Sequence, residues 1–353
     1  MIKSFKQVQY EHQYQVSRDH PEWFGNDKCW GVFRKKKYQF VLKDCMNNLY
    51  TELRTKEKES PMNALRYFKE NGIDWWSGAK PSAHMCSSQI ACVNHLFPIR
   101  YDHTAVLALA NSAAKEAGEQ PFDEVLEIGG DKCMPGYIAF EVITSTDYLN
   151  EAKDGTLSRG SQCTSVDAAI LAKRGNDIII LPIEWKFVEE YNRDDKSRNI
   201  FNKRENAWHN SGDERIRRYF KSGLVSNSAQ IKYNSDQDPH GSVFFQEPFY
   251  QLMRQTLWAE QLIKNKDSLF LGAVDYIHVH VVPEANTTLR DRVYRKESWD
   301  TGKGMIDTWK ANLTNPDKYL CIDPKVLFSG IREDKSLAEK YSDLLCYLEA
   351  RYW

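Results

Sequence analysis

Thr164-Ser165-Val166-Asp167-Ala168-Ala169-Ile170 and Ile178-Ile179-Ile180-Leu181-Pro182-Ile183-Glu184-Trp185-Lys186-Phe187 decide the fold of this chain. Each is a short apolar run with the length and branched side chains of a strand. Each also carries a charge where Val or Ile would ordinarily continue. Successive side chains of a strand alternate between faces, so Glu184 and Lys186 share one face. An unpaired carboxylate or ammonium is costly to bury, so Asp167, Glu184 and Lys186 need one another, a metal or a substrate. Between the runs lies Arg174-Gly175-Asn176-Asp177, a hairpin signal. The two strands are therefore expected to be antiparallel neighbours, with both carboxylates at one end of the pair. Two acids facing one point make a hard-oxygen site suited to Mg²⁺, and a Lys beside it can hold an anionic group or a water.

Working outward, a helix is expected over 87–97, capped by Ser87, with Ile90, Val93, Asn94 and Phe97 on one face. A second runs over 104–117 and stops at Gly118. Strands are expected at 124–128 and 137–144, and the connection 147–160 reads as a loop. Residues 191–241 form a polar, charge-dense insertion with little periodicity. Pro248 opens a helix to about Ile263, with Phe249, Leu252, Met253, Leu257 and Leu262 inside. A last long strand is expected over 269–282. The tail closes with an amphipathic helix over 336–352. The N-terminal 80 residues, rich in Trp, Tyr and Lys, read as an accessory region with a helix over 61–71. The expected division is thus 1–80, a core over 81–282, and an extension over 283–353.

Composition narrows the function. Of 353 residues, 41% are hydrophobic, ample for a core. No apolar run approaches the length of a membrane span, and the first residues lack the apolar segment of a secretory signal, so a cytoplasmic protein is expected. A net charge of −1 gives no global basic field, although Arg34-Lys35-Lys36-Lys37 and Arg215-Ile216-Arg217-Arg218-Tyr219-Phe220-Lys221 are local basic runs. The eight cysteines are scattered without a CxxC pair. The nearest approach to a zinc cluster is His84, Cys86, Cys92 and His95, whose spacing suits buried thiols better than metal ligands.

The wording Ser87-Ser88-Gln89, Cys92-Val93-Asn94, Ser165-Val166-Asp167-Ala168-Ala169, Glu184-Trp185-Lys186 and Glu247-Pro248-Phe249-Tyr250-Gln251-Leu252-Met253-Arg254 resembles one bacterial branch of the PD-(D/E)xK nuclease superfamily. The resemblance covers roughly residues 80–282. Val166 stands where the pattern writes a proline before the metal-binding Asp. The resemblance implies an α/β, restriction-endonuclease-like core: a mixed central sheet flanked by helices, with N-terminal and C-terminal additions. It implies that Asp167 bridges a metal and the scissile phosphate, that Glu184 adds a second carboxylate and that the Trp185 carbonyl adds a third ligand. Lys186 would orient or help deprotonate the attacking water. Gln89 would face the metal from the first core helix. The implied cofactor is Mg²⁺, with Mn²⁺ as substitute. The implied activity is endonucleolytic cleavage of DNA, double-stranded, in restriction or defence, by a homodimer.

Other residues are weighed on their own chemistry. Glu141 is a further acid for the site or an exposed position on an alternating strand. Glu189, Glu190 and Tyr191 follow the Glu-x-Lys strand and face the site or solvent. Arg215, Arg217, Arg218 and Lys221 are candidates for nucleic-acid contacts. Gln251, Arg254 and Gln255 are expected on an outward polar helix face, and His278 and His280 on a half-exposed strand face. The competing readings are a nucleic-acid-binding module that keeps the fold without the chemistry, and a protein-interaction subunit.

Overall fold

The chain starts on helix α1 (Phe5–Asp19), where the Ser4 side chain and Gln7 cap one another's backbone N–H groups. This helix is absent from the sequence expectation, because its few apolar positions are scattered among polar ones. The structure is a computed structural model that describes residues 3–353 apart from 56, 58, 77, 129–133, 153–155, 158, 160–162, 192–194, 203–206, 235, 237, 241 and 294–301. Parts of the expected 147–160 loop and Cys133 lie outside the described residues.

Strands β1 (Gly31–Phe33) and β2 (Lys36–Tyr38) form a small antiparallel hairpin. Helix α2 (Ala64–Glu70) is shorter than expected, because the Asn63 side chain accepts from Arg66 N–H and sets the start. Helix α3 (Ser88–Leu96) begins at Ser87 as its spacing predicts, and α4 (His103–Glu116) is capped by Asp102. Then come β3 (Glu124–Leu126), β4 (Ile138–Val142), β5 (Val166–Arg174) and β6 (Asp177–Trp185). β5 and β6 are antiparallel, and Arg174 pairs with Asp177 across the hairpin turn. Gly175 there has φ 58°, a conformation that favours glycine.

The 191–241 stretch is more ordered than its polarity suggests. It contains the strand pair β7 (Ile200–Asn202) and β8 (Ala207–His209), then α5 (Ser211–Ile216) running on into a π-helical turn over Arg217–Lys221. Ile216, Tyr219, Phe220 and Val225 are buried, so part of this stretch belongs to the core. Helix α6 (Phe249–Lys264) follows as expected. The expected long strand over 269–282 is instead two short ones, β9 (Asp275–Tyr276) and β10 (His278–Val281). The tail contributes more than a terminal helix. Tyr319–Ile322 forms β11, and the expected 336–352 helix breaks at Tyr341 into Lys335–Lys340 and Ser342–Tyr352.

The main sheet runs in the order β11-β10-β6-β5-β3, with β4 also on β5 and β9 beside β6. β5 is antiparallel to β3, β4 and β6, whereas β10 is parallel to both β6 and β11. The protein is therefore a mixed α/β fold with a mixed sheet flanked by helices, and apolar side chains cover both faces. Ala168, Ile170, Leu181, Ile183 and Val279 pack with α3, α4, the region 49–75 and the terminal helices. Ala169, Leu171 and Ile180 pack with α6 and the buried part of the 191–241 stretch. At about 1.5–3 kcal/mol for each large side chain buried, this two-sided packing dominates what holds the sheet in place. The chain ends are locked together by Arg351, fully buried, which donates to Gln13 Oε1 at 2.9 Å and to the Asn48 carbonyl at 3.1 Å.

Candidate active site

The β5–β6 register pairs Ala168 with Ile183, which brings Asp167 opposite Glu184 at the open end of the hairpin. On the far side of β6, Glu184 pairs with His280 of β10. Three polar side chains thus cross the sheet in one row, on the face covered by α6. Glu184 is 1% exposed and Lys186 7% exposed. Lys186 Nζ donates to Glu184 Oε1 and, at 2.8 Å, to Gln251 Oε1. Gln255 Nε2 donates to Glu184 Oε2, so both carboxylate oxygens are engaged. Asp167 is half-buried, and its Oδ2 accepts from Trp185 N–H at 2.7 Å. That bond fixes the Asp167 carboxylate against the start of the Glu-x-Lys segment.

A cavity of about 820 Å³ opens at the Asp167 and Glu184 end of this row, not over His280, and is lined by Asp167, Glu184, Trp185 and Lys186. Gln89 reaches it from α3, donating to Glu141 Oε1 at 2.9 Å and accepting from Trp76 N–H at 2.8 Å. Glu141 also accepts from Ser165 Oγ at 3.2 Å. Its backbone sits at φ 48° inside a strand, a conformation that residues other than glycine hold only where the surroundings enforce it. Glu189, Glu190, Tyr191 and Gln251 complete the same lining. The cavity acids Asp74, Glu141, Asp167, Glu184, Glu189 and Glu190 outnumber its permanent cations Lys6, Arg34, Arg159 and Lys186.

That excess shapes the protonation of the site. Burial and then the Glu184 carboxylate hold Asp167 well above the ordinary carboxylate range, with Lys186 pulling the other way. Burial raises Glu141 as well, against the hydrogen bonds from Gln89 and Ser165. Burial works against the Lys186 ammonium, but Glu184, with Tyr191, Asp167 and Glu189 behind it, outweighs burial and keeps its pKa well above the usual lysine range. Crowded carboxylates of this kind are relieved by a cation. The donors are oxygens, which fits a hard divalent ion that retains several waters. Among the described residues no three His, Cys, Asp or Glu side chains form a ready-made metal cluster. The carboxylates that could hold such an ion at the hairpin end are those of Asp167 and Glu184. His84, Cys86, Cys92 and His95 do not come together as a metal cluster among the described residues. His95 is instead held by the Ala91 carbonyl at 2.7 Å and Trp353 Nε1 at 3.1 Å.

Several sequence expectations are corrected here. Gln251 and Gln255 face inward, because α6 is buried around most of its circumference. Arg254 also turns in, forming a salt bridge at 2.9 Å to Glu151, which is itself bonded to Thr164 and Tyr219. His278 and His280 are 1% and 0% exposed, since β10 is flanked on both sides by strands. His278 Nε2 meets Gln255 Oε1 at 3.0 Å and His280 Nδ1 meets the Tyr319 hydroxyl at 2.8 Å. Burial pushes His278 down to about 3 and His280 well below the ordinary range, so both are neutral. The expectation for Arg215, Arg217, Arg218 and Lys221 is not among these corrections: they lie outside the cavity lining, with Arg215 donating to the Lys196 carbonyl at 3.1 Å, and stay candidates for contacts beyond it. Sequence reasoning did not place Lys6, Tyr10, Phe33, Trp75 and Trp76 of the N-terminal region at the site, and it saw Arg34 only as part of a local basic run.

No described helix is long and apolar enough to cross a membrane. Comparison with curated proteins and with solved structures finds no match. A family model described as "Restriction Endonuclease associating with ARP" matches residues 10–353. The match takes in the cavity, both core faces and the terminal helices, and on it the chain belongs to that restriction endonuclease family.

Proposed function

We propose that this protein is a metal-dependent endonuclease that hydrolyses DNA phosphodiester bonds on a PD-(D/E)xK-type core. The observation that carries the reading is the meeting of Asp167, Glu184 and Lys186 at one hairpin end, in a cavity whose acids outnumber its cations. Asp167, Glu184 and the Trp185 carbonyl would hold Mg²⁺, or Mn²⁺ in its place. When bound, such an ion lowers the pKa of a coordinated water and takes up charge that develops on phosphate oxygens. Asp167 would bind the ion as a carboxylate, and burial and Glu184 work against that charged form, so the ion and a proton compete for it. Lys186 would orient or help deprotonate the attacking water and neutralise charge on the phosphate. Gln251 and Gln255 hold Lys186 and Glu184 from α6. Gln89 and Ser165 hold Glu141 at the cavity wall. The family description also names association with ARP, and we infer that this chain shares that partner, in a cytoplasmic restriction or defence setting. The test is cleavage of a supercoiled plasmid in Mg²⁺ by wild type, Asp167→Ala and Lys186→Ala. Nicked or linear product from wild type alone supports the reading, and equal cleavage by all three proteins refutes it.

A further inference from the structure

The cavity carries a cationic arm at its edge that the Asp-Glu-Lys trio does not use. In the β1–β2 hairpin, Phe33 pairs with Lys36 and Val32 with Lys37, which leaves Arg34-Lys35 as a two-residue turn. Both turn residues have positive φ, 48° and 68°. Such primed turns usually take Asn-Gly, so two long basic side chains occupy a place where glycine is favoured. Arg34, Lys35, Lys36 and Lys37 are all exposed, and among the described residues none of the four forms an ion pair. Their charges are available to a partner.

The hairpin is braced from below. Gly31 N–H donates to the Val41 carbonyl at 2.8 Å, and a Cβ at Gly31 would fall 2.0 Å from the Leu42 carbonyl oxygen. The Asp27 carboxylate accepts from the backbone N–H groups of Cys29, Lys43 and Asp44 at 2.8, 2.9 and 2.8 Å. On the inner side, the Phe33 ring stands 4.9 Å from His84, and the Arg34 guanidinium lies 6.0 Å over Trp76. Phe33, Arg34, Trp76 and His84 line the same cavity as Asp167, Glu184 and Lys186. The floor is acidic and calls for a cation, whereas the arm is basic and calls for anions. An extended polyanion with one phosphate at a metal and its neighbours along the arm satisfies both.

We propose that the β1–β2 hairpin is the backbone-gripping arm of the enzyme, with Arg34, Lys35, Lys36 and Lys37 neutralising phosphates of the DNA that enters the cavity. This rests on the phosphodiesterase reading above. The test is binding of a fluorescent DNA duplex in EDTA over a salt series, comparing wild type, Lys35→Ala/Lys36→Ala/Lys37→Ala and the control Lys264→Ala/Lys335→Ala, two exposed lysines that do not line the cavity, with plasmid cleavage in Mg²⁺ run alongside. Each phosphate contact contributes roughly 0.9 to the slope of log K against log salt. The triple variant is expected to flatten that slope by about 2–3, whereas the control keeps it. If wild type binds and cleaves while the triple variant keeps the wild-type slope, the arm is overturned and the nuclease reading stands. If wild type neither binds duplex nor cleaves plasmid, the nuclease reading fails and the arm falls with it.

Discussion

Replacing Lys186 by Met tests the buried heart of the site. The ammonium and the Glu184 carboxylate are both shielded from water, and Glu184 would keep only Gln255 as partner. Removing one member of a buried ion pair strands the other charge and costs about 3–5 kcal/mol. Against a total stability on the order of 5–15 kcal/mol, that is a large loss. Lys186→Met/Glu184→Gln leaves no stranded charge, so it is expected to recover most of the stability, which makes the coupling visible in a double-mutant cycle. Urea unfolding in EDTA at pH 8 measures wild type, Lys186→Met, Glu184→Gln and the double variant. Adding Mn²⁺ then asks whether a cation replaces the ammonium. At a hundred times its dissociation constant, an ion bound only by the folded state adds about 2.7 kcal/mol. The gain is expected for wild type and for Lys186→Met, and is lost in Asp167→Ala. If Lys186→Met unfolds at the wild-type urea concentration, or if Mn²⁺ stabilises Asp167→Ala as much as wild type, the reasoning is refuted.

Further outcomes follow from the same contacts. Because Asp167 is held above its unfolded range, the metal-free fold gains a proton on folding, and its stability falls as pH rises from about 4 through the folded pKa of Asp167. Asp167→Asn reduces that slope in urea titrations, and what remains comes from Glu141 and other carboxyls raised by burial. Protons and Mg²⁺ compete for this carboxylate, so the metal concentration for half-maximal cleavage should fall as pH rises. Gln255→Leu leaves Glu184 Oε2 and His278 Nε2 without partners and should cost about 2–4 kcal/mol, read as a lower urea midpoint. Arg254→Ala strands buried Glu151 and should lower stability by about 3–5 kcal/mol. A loss of DNA affinity with stability unchanged would instead place Arg254 on the substrate.

The hairpin of β5 and β6 was legible because its evidence is local: apolar runs, a turn with Gly175, and charges at fixed positions. The α3 start at Ser87 and the inner face of α6 were legible for the same reason. What escaped depends on pairing between distant segments. Tyr319–Ile322 is too short to announce a strand, yet its docking turns β10 from an edge into an interior strand and buries both histidines. Gln251, Arg254 and Gln255 show helical spacing, but only the sheet on one side and the buried 191–241 residues on the other turn them inward. The basic run Arg34–Lys37 was visible in the sequence, but its place was not: Phe33, Arg34 and Trp76 reach the cavity only through the fold.

The most direct measurement is anomalous diffraction from crystals soaked in Mn²⁺. The account predicts a peak about 2.0–2.3 Å from oxygens of both Asp167 and Glu184, inside the cavity that Lys186 lines, and its loss in Asp167→Ala. Manganese bound elsewhere, with the space between those carboxylates empty in a protein that still cuts DNA, would contradict it.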